Sequence, residues 1–184
     1  MKTKIFLFSL LALWLFTAGS CNDDDDNGDR LPPITQTGAN TAGYKLDGKV
    51  ILPRQEISWV YGPSYGKGPL QGNLNDKVLE LSIFNYLKIS NPPIKGISKE
   101  LIININVHND SISFHLDKGT YGNMVPEYSK YSMIEGNLNF LKKDENSGIY
   151  AGTFNAKLKE EKTGEILNIT DGRFDINLNT LNKD

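Results

Sequence analysis

The chain has 184 residues, 20 of them basic and 22 acidic, with a formal net charge of −2. That length suits one domain behind its terminal segments. A near-neutral chain with no basic stripe and no nucleic-acid module lacks the electrostatic footprint of nucleic-acid binding. A single cysteine, Cys21, rules out an internal disulfide, and only two histidines are present.

The first 20 residues read as a targeting segment. Lys2 and Lys4 precede the apolar run Ile5 to Phe16, and the small residues Ala18, Gly19 and Ser20 follow it. A basic start, a short apolar core and a small-residue exit make a secretory signal peptide. The run is shorter than the roughly 20 apolar residues that a spanning helix requires. Residues 1–20 are therefore expected to be cleaved, and no cofactor is implied anywhere in the chain.

"AGSC", ending at Cys21, resembles a bacterial lipobox, although Ala18 stands where leucine is usual. The resemblance implies a diacylglycerol on the Cys21 thiol, with palmitate-type acylation of the new N-terminus. Several acyl chains would then hold the protein firmly on a membrane.

Asp23, Asp24, Asp25 and Asp26 follow at once. Removing Lys2 and Lys4 leaves 18 basic and 22 acidic residues, a mature net charge of −4. From Gly43 onward basic and acidic residues balance at 17 each, so the acidity belongs to the tether. A block of like charge is normally solvated, and residues 21–42 are expected to form a flexible acidic tether. Twenty such residues reach roughly 25 Å. An acidic run beside the lipidated cysteine also resembles the export signal that carries Bacteroidota lipoproteins to the outer cell surface. The expected address is the cell outer membrane, lipid-anchored and facing the exterior.

Residues 43–184 read as one all-β domain. Asp47-Gly48 suits a two-residue hairpin turn, because both central positions need positive φ. "EISWVY" alternates Ile57, Trp59 and Tyr61, and "KVLELSIF" places Leu79, Leu81 and Ile83 on one face. Such period-2 patterns mark half-buried strands. In "LIININVHNDSISFHL" a two-residue turn at Asn109-Asp110 would set Val107 against Ile112, Ile105 against Phe114 and Ile103 against Leu116. Tyr150, Gly152, Phe154, Ala156 and Leu158 share a face further on. Leu167 and Ile169 are odd-numbered, whereas Phe174, Ile176 and Leu178 are even, and this parity switch predicts a β-bulge at Gly172. "PEYSKYSMIEG" could hold a helical turn, the one such place in the domain. The expected fold is a single antiparallel β-sandwich, with a calycin-like closed β-barrel as the alternative.

Two stretches, "LPPITQTGANTAGYKLDGKVILP" (31–53) and "GIYAGTFNAKLKEEKTGEILNITDGRFDINL" (148–178), resemble a family of small Bacteroidota surface lipoproteins of unknown function. Tyr44 stands where that family often has cysteine. The resemblance implies an all-β surface lipoprotein and supplies no catalytic residues.

Chemistry-bearing residues are sparse. In the register above, His108 and His115 point to the polar face about 13 Å apart along the ladder, too far to share a metal ion. Without cysteines the domain offers no Cys/His zinc site, and no metal is expected. "GPSYGKG" lacks the spacing and the Ser/Thr of a phosphate loop. Glu80, Asp117, Glu127, Glu135, Asp171 and Asp175 could in principle pair as glycosidase carboxylates, but Asp171 and Asp175 flank Arg173 in a pattern that favours a local ion pair. Loop aromatics are the better binding candidates, because aromatic faces stack on apolar ligand faces: Tyr61, Tyr65, Tyr121, Tyr128 and Tyr131. "DSI" resembles the short O-glycosylation acceptor of Bacteroidota exported proteins, with Ser111 as acceptor. The functional expectation is a non-catalytic β-domain that binds a glycan or an envelope protein. A structural partner of an outer-membrane complex is the alternative, and a glycan hydrolase is the third.

Overall fold

A computed structural model describes residues 28–55, 68–90, 95–121 and 127–181. Residues 1–20, expected to be a signal peptide, and Cys21, the Asp23 to Asp26 run, Trp59, Tyr61 and Tyr65 lie outside them. Among the described residues ten strands follow in chain order: β1 Thr41–Leu46, β2 Lys49–Ile51, β3 Arg54–Gln55, β4 Leu70–Asn75, β5 Val78–Ser90, β6 Lys95–Asn106, β7 Ile112–Tyr121, β8 Glu127–Asp144, β9 Ile149–Glu160 and β10 Ile166–Asn177. The class is all-β, as expected, and antiparallel apart from the short parallel pairing of β3 with β5. The strands belong to one sheet in the order β2-β1-β10-β9-β8-β7-β6-β5-β3, with β4 paired to β5. This sheet curls into a half-barrel, so the enclosure is barrel-like.

The curl brings the two ends of the strand path together. β2 ends at Ile51 and β3 begins at Arg54, so one end of the path passes to the other within three Cα steps, about 11 Å at most. Bulges help the strands bend. The register of β8 against β9 shifts between Met133 and Glu135 and again between Phe140 and Lys142. β10 shifts against β9 between Ile169 and Gly172, where the sequence parity switches. Asp171 takes φ 53° at that bulge.

Inside the curl lies the apolar core. Leu79, Leu81 and Ile83 of β5, Leu101, Ile103 and Ile105 of β6, and Phe114 and Leu116 of β7 are fully buried. Tyr150, Phe154 and Leu158 of β9, with Ile169 and Ile176 of β10, join them in the same cluster. Fully burying each such side chain stabilises the fold by about 1.5–3 kcal/mol. The Asp47-Gly48 turn has φ of 48° and 84°, as a two-residue hairpin between Leu46 and Lys49 demands.

Three expectations need correction. The β6–β7 hairpin pairs Ile105 with Ile112, Ile103 with Phe114 and Leu101 with Leu116, two residues away from the expected register. Its turn is longer because Asn side chains satisfy it: Asn106 Oδ1 accepts from the amides of His108 and Asn109, and Asn109 Oδ1 accepts from Ser111. A shift of two leaves every side chain on its original face, which is why the pattern could not detect it. Second, "PEYSKYSMIEG" holds no helical turn; from Glu127 it is extended as the start of β8.

Third, the expected tether reaches too far into the domain. Residues 29–40 are bound to it although they form no strand. The Asp175 carboxylate accepts from Thr35 Oγ1 at 2.6 Å, from the Thr37 amide at 2.9 Å and from the Gly38 amide at 2.7 Å. Arg173 donates to the Pro32 carbonyl, and Arg54 pairs with Asp29 at 2.7 Å. A segment that forms no strand is held here by hydrogen bonds to a buried charge.

Candidate functional site

One rim of the half-barrel gathers charge. Inward positions alternate along each strand, so the inward set Ile83, Leu101 and Leu116 is continued towards this rim by Asn85, Lys99 and Lys118. Asn85, Lys99 and Lys118 are consecutive cross-strand partners on β5, β6 and β7. On the far side of the curl, Lys49 pairs with the core residue Leu46 and so shares the inward face. Lys99 is half-buried. Burial first, then the charges of Lys118 and Lys49, lower its pKa below the usual lysine value.

Tyr131 closes the next position. It is only 2% exposed. Its hydroxyl accepts from Lys118 Nζ at 3.3 Å and donates to Glu165 Oε2 at 2.6 Å. The Lys118 amine also lies 5.0 Å from the Tyr131 ring centroid. Burial, then the hydrogen bond and charge of Glu165, push the phenol well above its ordinary pKa. It therefore stays protonated and donates throughout the physiological range. Glu160, buried on β9, turns its carboxylate to the Lys162 and Thr163 amides, and those bonds hold its pKa low, with the Thr163 amide contributing most. Its role is to close the β9–β10 turn.

A separate cavity of about 450 Å³ lies at the seam where the sheet's ends meet. Pro32, Leu52, Pro53, Pro69 and Leu70 supply apolar walls, and Arg30, Asn40 and Thr41 supply polar edges. Asn85 Nδ2 donates to the Leu52 carbonyl at 2.8 Å, which fixes the linker beside it. This size and mixture are those of small-ligand sites. A smaller polar groove of about 240 Å³ crosses β8, β9 and β10 near Glu135, Asn155 and Lys157.

The expected site residues are scattered. Tyr128 is 50% exposed on the outer face of β8, as expected of a surface tyrosine. Tyr131 is not one, because it fills the core. Tyr121 ends β7, and its side chain is not among those described. Ser111 is exposed beside the β6–β7 turn. His108 and His115 are exposed, His108 in the turn and His115 paired with Ile102 rather than Asn104. Among the described residues no group of three or more His, Cys, Asp or Glu is placed to hold a metal. Asp171 pairs with Lys45 at 3.1 Å, Glu135 with Lys157 at 3.4 Å, and Asp175 is committed to the N-terminal segment. Sequence reasoning missed Lys49, Lys99, Lys118 and the seam cavity. The signal for two of the lysines was present: Lys99 extends the odd, inward set of β6, and Lys118 the even, inward set of β7.

No protein-family model matches the chain, and no curated protein or solved structure matches it significantly.

Proposed function

We propose that the chain is an outer-membrane lipoprotein, lipid-anchored through Cys21 and facing the exterior, whose half-barrel is a non-catalytic binding module for a glycan or another envelope component. The seam cavity carries this reading. It is large enough for a sugar-sized ligand, apolar on its walls, and edged by Arg30, Asn40 and Thr41, the composition expected of a pre-formed ligand site. The acidic run after Cys21 supports the exterior address.

The test is a glycan array and an envelope pull-down with the mature chain in detergent, alongside a Thr41→Trp variant that fills the cavity. Binding by the wild type and its loss in the variant support the reading. Silence from both assays overturns it. The address is tested separately: protease added to intact cells should remove the domain, and Cys21→Ser should release it from the membrane fraction. Protection from protease in unlysed cells would refute surface exposure.

A further inference from the structure

The rim lysines present a physical conflict. Lys99 and Lys118 stand directly opposite each other on neighbouring strands, where like charges are destabilising. Lys49 adds a third cation from β2, close enough to act on Lys99. Lys118 has the Tyr131 hydroxyl as acceptor. For Lys49 and Lys99 no hydrogen bond or ion pair with a described residue balances the charge. Among the described residues, the acids beside Tyr131, Glu160 and Glu165, are engaged by the β9–β10 turn amides and by the Tyr131 hydroxyl. A half-buried ammonium without a counter-charge is costly. Places where a fold accepts such a local conflict are characteristically functional.

We propose that this rim is an oxyanion-binding site, with Lys49, Lys99 and Lys118 receiving a carboxylate, sulfate or phosphate group. Lys99 and Lys118 face each other across the β6–β7 pair, and the exposed Lys49 shares the inward face from β2, so an anion at this rim has cations on two sides of the curl. Asn85, the next inward side chain on β5, already donates to the Leu52 carbonyl and borders the site. Tyr131 keeps Lys118 directed inward. The site is distinct from the seam cavity, so either can fail without the other.

Inorganic sulfate, inorganic phosphate and a galacturonate trisaccharide distinguish the sources of the anion, with neutral maltotriose as control. Binding is followed by the NMR titration of the Lys99 side chain and by Tm. At least one oxyanion probe should raise both the Lys99 titration midpoint and Tm, and maltotriose should change neither. Lys99→Met should weaken the bound probe at least tenfold yet raise Tm of the ligand-free protein, whereas Lys99→Arg should keep affinity within a few-fold. Lys118→Met provides a second neutral variant with the same expected loss of binding. Unchanged Lys99 titration with every oxyanion at 50 mM, or equal binding by wild type and both methionine variants, would overturn the proposal.

Discussion

Thr35 Oγ1 donates a 2.6 Å hydrogen bond to the carboxylate of Asp175, 140 residues further along the chain. That bond, with those from the Thr37 and Gly38 amides, turns an otherwise irregular segment into part of the domain. Asn40 adds to it by accepting from the Asn177 amide at 2.8 Å and donating to Thr180 at 2.9 Å. The segment that precedes β1 is thereby joined to β10.

The latch predicts an acid-sensitive element. Burial at 2% exposure works against the Asp175 carboxylate, but the hydrogen bonds from Thr35, Thr37, Gly38 and Ala39 outweigh it and leave the pKa below the ordinary value. A folded pKa below the unfolded one stabilises the fold above about pH 4, and that stabilisation is lost as pH falls through the folded pKa. Asp175→Ala should cost about 2–4 kcal/mol at pH 7. Its Tm deficit relative to wild type should shrink below about pH 4. A deficit that stayed constant from pH 7 to pH 2 would show that the charge is not responsible.

Gly172 marks the β10 bulge for a steric reason. A Cβ there would lie 2.4 Å from the ring of Phe154, itself buried in the core. Gly172→Ala should destabilise by about 1–3 kcal/mol, as overpacking does. Urea denaturation would measure it; a change under about 0.5 kcal/mol would mean that the ring moves aside freely.

Tyr44 is fully buried, and its hydroxyl has no hydrogen-bond partner among the described residues. Desolvation raises its pKa far above the ordinary phenol value. Because an unpaired buried hydroxyl is a liability, Tyr44→Phe should raise stability by about 1 kcal/mol. A loss of similar size would reveal a bonding partner for that hydroxyl.

Tyr131 gives the opposite expectation with the same substitution. Its hydroxyl links Lys118 to Glu165, so Tyr131→Phe should lower stability by about 1–2 kcal/mol. A double-mutant cycle with Glu165→Gln should show coupling. Strict additivity would dissolve the link.

Face and periodicity are legible in the order of the residues. Leu79, Leu81 and Ile83, the Tyr150 to Leu158 set, the Asp47-Gly48 turn and the bulge at Gly172 all follow from local rules, because pleating and left-handed φ act within a few residues. The β6–β7 register does not, since displacement by two preserves every face. Tyr131 reads as a loop tyrosine because nothing local reveals that β8 begins at Glu127 and turns that ring inward.

By itself the sequence determined the all-β class, the strand faces and the expectation of a lipid-anchored, acidic leader into a neutral domain. These rest on hydropathy, charge and turn chemistry, which are local properties. Only the tertiary structure decided that one curled sheet sets β1 and β4 around one cavity, that Asp175 captures the segment around Thr35, and that Lys99 and Lys118 stand opposite each other at one rim. Each depends on which strands become neighbours, and that choice is made by closing the sheet around its core rather than by any short stretch of chain.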